Sequence, residues 1–127
     1  MTLQLLRAVL FVRDLPRMTA FYRDVLGLSP IDDGQTQDWV EFRAGAVTLG
    51  LHAIPADIAA SCTPEIPPRA REGNPLRLDL SVPDVESEKR RLAALGVTLL
   101  TRRWGACDLV DPEGNVFGLR DDRGALS

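Results

Sequence analysis

Histidine and cysteine are scarce in this chain. Its 127 residues include one histidine, His52, and two cysteines, Cys62 and Cys107. The cysteines lie far apart and form no CxxC pair, so a reduced protein without a disulfide is expected. Cys107, on a short apolar segment, reads as a small buried residue rather than a nucleophile. No Ser-His-Asp spacing and no phosphate-binding glycine loop occurs. Positive charge is not in excess either. The formal net charge is -3 with both signs interspersed, which gives no footprint for nucleic acid and no polybasic anchor for a membrane. The longest apolar runs, such as AVLFV at 8–12, are far too short to span a bilayer. The start, MTLQLLRAVLFVRD, lacks a signal-peptide layout, because charge interrupts the apolar run and no small-residue cleavage site follows. A cytoplasmic protein is therefore expected. What remains is an ordinary globular composition, 45% apolar and 26% charged, which suits one domain, 1–127, with a real core.

The order within that composition is a repeat. AVLFVRDL (8–15) and LDLSVPDV (78–85) both read as an alternating apolar strand, one intervening residue, an aspartate and an apolar residue. Each precedes a helical stretch closed by glycine: PRMTAFYRDVLG (16–27) and ESEKRRLAALG (86–96), the first one residue longer. Asp14 and Asp84 are placed to accept backbone N–H groups at the helix starts. Pro16 suits a first turn, and Gly27 and Gly96 suit the left-handed residue after a helix end. Met18, Phe21 or Tyr22, and Val25 form one apolar face; Val85, Leu92 and Leu95 form the other less completely. Glu86 and Arg90 are expected to pair at i,i+4.

Three strand candidates follow each helix: LSPID, DWVEFR and AVTLGLH in the first half, VTLLTRR, ACDLV and NVFGLR in the second. Asp111-Pro112-Glu113-Gly114 reads as a type I turn closing the last hairpin. The predicted modules are 3–52 and 76–121, followed by a flexible tail at 122–127. Residues 53–75 hold five prolines and no periodicity; this linker is long enough to act as a lid or dimer contact.

The duplicated strand-helix-three-strand plan resembles the vicinal oxygen chelate superfamily, which includes glyoxalase I, bleomycin-resistance proteins, extradiol dioxygenases and fosfomycin-resistance enzymes. The segments that carry the resemblance are VRDLPRMTAFYRDVLGL (12–28), AGAVTLGLH (44–52), LDLSVPDVESEKRRLAALGV (78–97) and DPEGNVFGL (111–119). It implies an α+β fold: two tandem βαβββ modules with pseudo-twofold symmetry, forming a cup-shaped, incompletely closed β-barrel with helices outside. In metal-using members the first and last strands of each module supply His, Glu or Gln ligands to one ion. Those positions match Arg7, Gly50 (or its neighbour Leu49), Arg77 and Gly118 here. Arginine has no lone pair to give and glycine has no side chain, so no metal and no other cofactor is expected.

Strand alternation agrees with that register. Ala8, Leu10 and Val12, then Leu78, Leu80 and Val82, should face the helices. So should Val47, Leu49 and Leu51, and Phe117 and Leu119. The cup should then gather Arg7, Thr48, His52, Arg77, Asp79, Ser81 and Arg120, with Val9, Phe11 and Val116 as apolar wall. Trp39 and Glu41 share a face of a middle strand whose phase is less defined, and Trp104 is placed near the rim. The ligand-binding set is thus Arg7, Phe11, Trp39, Glu41, Thr48, His52, Arg77, Asp79, Ser81 and Arg120. Each has a structural alternative. Arg7 and Arg77 can belong to an internal ion network with Asp79 or Glu41, because buried charges need partners. His52 can be a solvated edge residue, or can join Asp79 and Glu41 in a new metal site. The tryptophans can be core or interface.

The leading functional expectation is metal-independent binding of a small polar or anionic organic molecule in a dimeric cup, resembling bleomycin-resistance-type proteins. The alternative is a glyoxalase-like lyase or isomerase, or a dioxygenase-family enzyme, with a rearranged or absent metal site. There His52, Asp79 or Glu41 would serve as acid or base. A third possibility is a regulatory protein with a collapsed cup. The expected partners are a small-molecule ligand and a second copy in a homodimer, with no nucleic acid and no membrane.

Overall fold

The computed structural model describes residues 2–61, 65–103 and 107–121. Cys62, Trp104 and the tail at 122–127 lie outside the described residues. The chain forms two compact units, 1–63 and 64–127. The first contains β1 (Arg7–Val12), α1 (Leu15–Ala20), a π-helical turn (Phe21–Val25), β2 (Ser29–Thr36), β3 (Trp39–Ala44), β4 (Val47–Ala53) and the short α2 (Ala56–Ala60). The second contains β5 (Leu78–Val82), α3 (Val85–Ala94), β6 (Thr98–Thr101), β7 (Cys107–Val110) and β8 (Val116–Asp121).

Both units follow one plan. The sheet orders are β1-β4-β3-β2 and β5-β8-β7-β6. In each, the first strand runs parallel to the last, and the other pairings are antiparallel. A parallel pair needs a long crossover, and the helix and two intervening strands provide it. This is the duplicated βαβββ arrangement of an α+β protein.

The sequence signals act where they were read. The Asp14 carboxylate accepts from Arg17 N at 3.1 Å, and Asp84 accepts from Glu86 N at 3.0 Å. Gly27 and Gly96 close the two helices with φ of 77° and 80°, a conformation that costs a side-chain-bearing residue roughly 1–2 kcal/mol. The extra residue of the first half is absorbed by the π-helical turn, where Leu26 N donates to Phe21 O at 3.0 Å. Such a turn accommodates one more residue than an α-helix would, so chain exit at Gly27 matches that at Gly96. Two details differ from expectation. Glu86 pairs with Lys89 at 3.5 Å rather than with Arg90, whose Nη2 donates to the Ser87 hydroxyl instead. Leu95 is exposed, leaving Leu92 as the fully buried residue of α3.

The helix-facing side of each sheet is the core. In unit 1, Val12, Met18, Tyr22, Phe42 and Leu51 are fully buried, with Tyr22 and Phe42 rings 6.3 Å apart. In unit 2 the same role falls to Leu92, Leu109 and Phe117, the last two paired across β7 and β8. Burying a side chain of this size stabilises by about 1.5–3 kcal/mol. The proline-rich stretch is not structureless: besides α2, its end is fastened to the last hairpin of its own unit. Arg71 N donates to Gly114 O at 2.8 Å, and Arg71 Nε to Glu113 O at 2.9 Å. The turn closes as read, with Gly114 N donating to Asp111 O at 2.9 Å. The buried Asp111 carboxylate accepts from Glu113 N and Asn115 N, each at 2.9 Å.

Candidate functional site

In unit 1 the face opposite the helix carries six of the expected residues in matching register. Arg7 lies across from Thr48, and Phe11 from His52, in the β1–β4 ladder. Glu41 lies across from Gly50, and Trp39 from His52, in the β3–β4 ladder. This settles the phase of β3. Glu41 is the centre of the polar contacts: its Oε2 accepts from Arg7 Nε at 2.9 Å and from the Thr48 hydroxyl. The Thr48 bond first, and Arg7 after it, hold Glu41 below the usual carboxylate range against the opposing effect of burial. The Arg7 guanidinium also lies over the Trp39 indole, 5.3 Å from its centroid, where the ring quadrupole attracts a cation. The His52 ring stands 6.1 Å from Trp39 and 5.7 Å from Phe11, and its Nδ1 donates to the Ala53 carbonyl at 2.8 Å. The apolar wall is open to solvent, with Phe11 67% and Val9 40% exposed.

In unit 2 the remaining four expected residues share the corresponding face. Asp79 is paired with Gly118 and Ser81 with Arg120 along β5–β8, and Arg77 immediately precedes β5. The partner of Arg77 is only secondarily Asp79, 3.4 Å from its Nε. Its Nη2 binds Asp108, which lies across from Gly118 in the β7–β8 ladder and is fully buried. The second Asp108 oxygen accepts from Arg102 Nε at 2.6 Å. Arg102 in turn donates both terminal nitrogens to Glu72, each at 2.8 Å. This bidentate bond, then Asp108, raises the Arg102 pKa further above its already high value, and the same bond to Arg102 lowers that of Glu72.

Asp108, Arg102 and Glu72 are absent from the sequence expectation, which offers only Asp79 or Glu41 as partners for Arg7 and Arg77. The available signal was a carboxylate inside the otherwise apolar strand CDLV, since a buried charge requires a partner. Asp79 is 52% exposed and Asp108 not at all, so desolvation puts the stronger claim for a cation on Asp108. Both equivalent arginine positions of the repeat thus sit in internal ion pairs, and in each unit the anchoring carboxylate comes from the middle strand beside the glycine. Cys107 is buried, and desolvation raises its pKa, which suppresses thiolate chemistry. Among the described residues, no group of three His, Cys, Asp or Glu side chains is arranged to hold a metal ion. None of the described helices is long and apolar enough to cross a membrane.

A glyoxalase-like domain family model matches residues 7–120. The chain belongs to that family. Solved structures of similar fold include a lactoylglutathione lyase from Agrobacterium tumefaciens, with 23% identity, coverage of 98% of this chain and 97% of that one, and a TM-score of 0.65. A glyoxalase/bleomycin resistance protein/dioxygenase family enzyme from Burkholderia phytofirmans PsJN has 23% identity, coverage of 91% and 95%, and a TM-score of 0.68. The fosfomycin resistance protein FosX from Mesorhizobium loti has 18% identity, coverage of 99% and 95%, and a TM-score of 0.67. At these identities the likeness is one of fold. No curated protein matches the sequence closely enough to count as a relative.

The glyoxalase-like fold implies a divalent ion in some members, and the residues at the corresponding places do not fit one. Arg7 and Arg77 offer only donors. The space beside each glycine is taken by the unit's own side chains. A β-carbon on Gly50 would meet the Trp39 indole, and one on Gly118 would meet Asp79, Arg77 and Arg120.

Proposed function

We propose that this glyoxalase-like protein binds a small polar or anionic organic molecule without a divalent ion, as a homodimer, in the manner of bleomycin-resistance-type proteins. The observation that carries this reading is the replacement at Arg7, Gly50, Arg77 and Gly118: two guanidiniums held by carboxylates stand where lone-pair donors would be needed. A guanidinium anchored along one edge has lost much of its freedom before a ligand arrives, and less entropy is lost on binding. Arg7 and Arg77 remain 37% and 36% exposed, so both stay open to solvent. In unit 1 the Phe11, His52 and Trp39 rings add apolar surface for an organic body beside that charge.

The enzyme reading would use His52, Asp79 or Glu41 for proton transfer. Glu41 is held ionised by Thr48 and Arg7, which disfavours it as a proton donor near neutral pH. Native mass spectrometry of the purified chain, with elemental analysis after growth with nickel, zinc, manganese and iron, tests the reading. The expected result is a retained organic molecule and no stoichiometric metal. About one tightly held ion per chain would overturn it, as would a turnover product in place of an unchanged ligand. Light scattering should give twice the 13.9 kDa chain mass; a monomer at micromolar concentration would refute the dimer.

A further inference from the structure

Arg77 and Arg120 each have one edge fixed inside unit 2 and another turned toward the same carboxylate oxygen. Arg77 Nη2 is held by buried Asp108, and its Nε faces Asp79 Oδ1 at 3.4 Å. Arg120 Nη1 donates to the Leu119 carbonyl at 2.8 Å and to the Cys107 carbonyl at 3.4 Å, while its Nη2 faces Asp79 Oδ1 at 3.8 Å. Both contacts to Asp79 are longer than the ~2.7–2.9 Å of a good arginine–carboxylate bond. Asp79 itself is half exposed.

The repeat shows that the arginine does not need this carboxylate for anchoring. Val9 occupies in unit 1 the place of Asp79 in unit 2, each paired with the glycine of its last strand. Arg7 is nevertheless held, by Glu41 of the middle strand, as Arg77 is by Asp108. Asp79 is thus surplus to the ion pair that positions Arg77, and it fills a two-arginine fork with long contacts of 3.4 and 3.8 Å. Gly118 is the floor of that fork: a β-carbon there would collide first with Asp79 Oδ1, then with Arg77 Nη2 at 2.9 Å and Arg120 Cζ at 3.1 Å, so glycine leaves room for a carboxylate oxygen between the two arginines.

We propose that the Arg77–Arg120 fork is a site for the carboxylate of a small organic ligand, and that Asp79 is its internal occupant, displaced when the ligand binds. The proposal rests on the ligand-binding reading above and narrows it to a carboxylic acid. An internal occupant lowers apparent affinity by the fraction of time it fills the site. Its removal therefore strengthens binding, whereas loss of a structural partner would not.

The test uses the full chain, isotopically labelled, with benzoate as probe and benzamide and inorganic phosphate as comparisons. Arginine Nε–H signals are followed by NMR and assigned with Arg77→Lys and Arg120→Lys. Benzoate should move the Arg77 and Arg120 signals, benzamide should not, and phosphate should bind more weakly. Asp79→Asn and Asp79→Ser should each bind benzoate about tenfold more tightly than the unaltered chain. Unchanged or weaker binding in both folded variants would overturn the proposal. So would shifts confined to other arginines, or phosphate binding at least as tight as benzoate. Identification of the retained ligand decides the broader reading separately. A ligand held while benzoate leaves the fork unmoved sinks only the fork. A fork that binds benzoate in a chain retaining no organic molecule sinks only the broader reading.

Discussion

The Trp39 indole occupies the space that a side chain at Gly50 would need, with Cζ2 and Cζ3 at 2.8 and 2.9 Å from where a β-carbon would stand. The ring is held there by its place opposite His52 and by the Arg7 guanidinium above it. Gly50→Ala should therefore displace the indole and separate it from Arg7. The cost should be about 1–3 kcal/mol, as for other overpacked sites. In a Trp104→Phe background, where Trp39 alone fluoresces, the emission of Gly50→Ala should shift to the red as the ring moves toward water. An unchanged spectrum and melting temperature would show that the ring is not seated on the glycine.

Asp108 is the only fully buried carboxylate that engages more than one arginine among the described ion pairs. Asp108→Asn should leave Arg77 and Arg102 without their shared counter-charge and lower stability by about 3–5 kcal/mol, the range for breaking a buried pair. Urea denaturation measures this. A loss under about 1 kcal/mol would mean that the arginines are satisfied by solvent.

Glu41 sets a pH dependence whose sign follows from its depressed pKa. Between the folded value and the unfolded value of about 4.3, the unfolded chain binds more protons, so stability rises with pH. The contribution is complete above the unfolded value and is lost as pH falls through the folded one. Glu72 and Asp84 act in the same direction. The melting temperature should be flat from about pH 6 to 5 and fall below pH 4. Glu41→Gln should show a shallower fall, and an identical acid profile would exclude Glu41 from it.

Cys107 is 3% exposed and its pKa is raised by burial. In a Cys62→Ser variant, alkylation of the native protein by iodoacetamide should be at least about tenfold slower than in urea. Equal rates would contradict the buried, protonated thiol.

Residue order alone determined the duplicated architecture. Asp14 and Asp84, Gly27 and Gly96, and the alternation in 8–12, 47–52, 78–82 and 115–120 are local signals. Caps, left-handed helix ends and two-residue periodicity act within a few residues of chain, so they can be read without knowing what the segment packs against. Even the extra residue of the first helix was visible as a length difference, although not its resolution into a π-helical turn. The faces carrying Arg7, Thr48 and His52, and Asp79, Ser81 and Arg120, follow from the same periodicity.

The tertiary structure alone decided which charges meet. Glu41 reaches Arg7 across 34 positions of sequence, Asp108 reaches Arg77 across 31, and Glu72 reaches Arg102 across 30. The apolar neighbours of Asp108 in CDLV hint that it is buried, but nothing local says that Arg77 is the cation it meets. The distinction comes from burial: packing of β7 within its sheet removes Asp108 from water and leaves Asp79 half solvated, and a desolvated carboxylate must have its cation whereas a hydrated one need not. The meaning of the two glycines was decided the same way. In the sequence each is only a missing side chain; the fold fills one gap with an indole and lines the other with two arginines and a carboxylate, because the strand ladders bring those groups to the bare backbone.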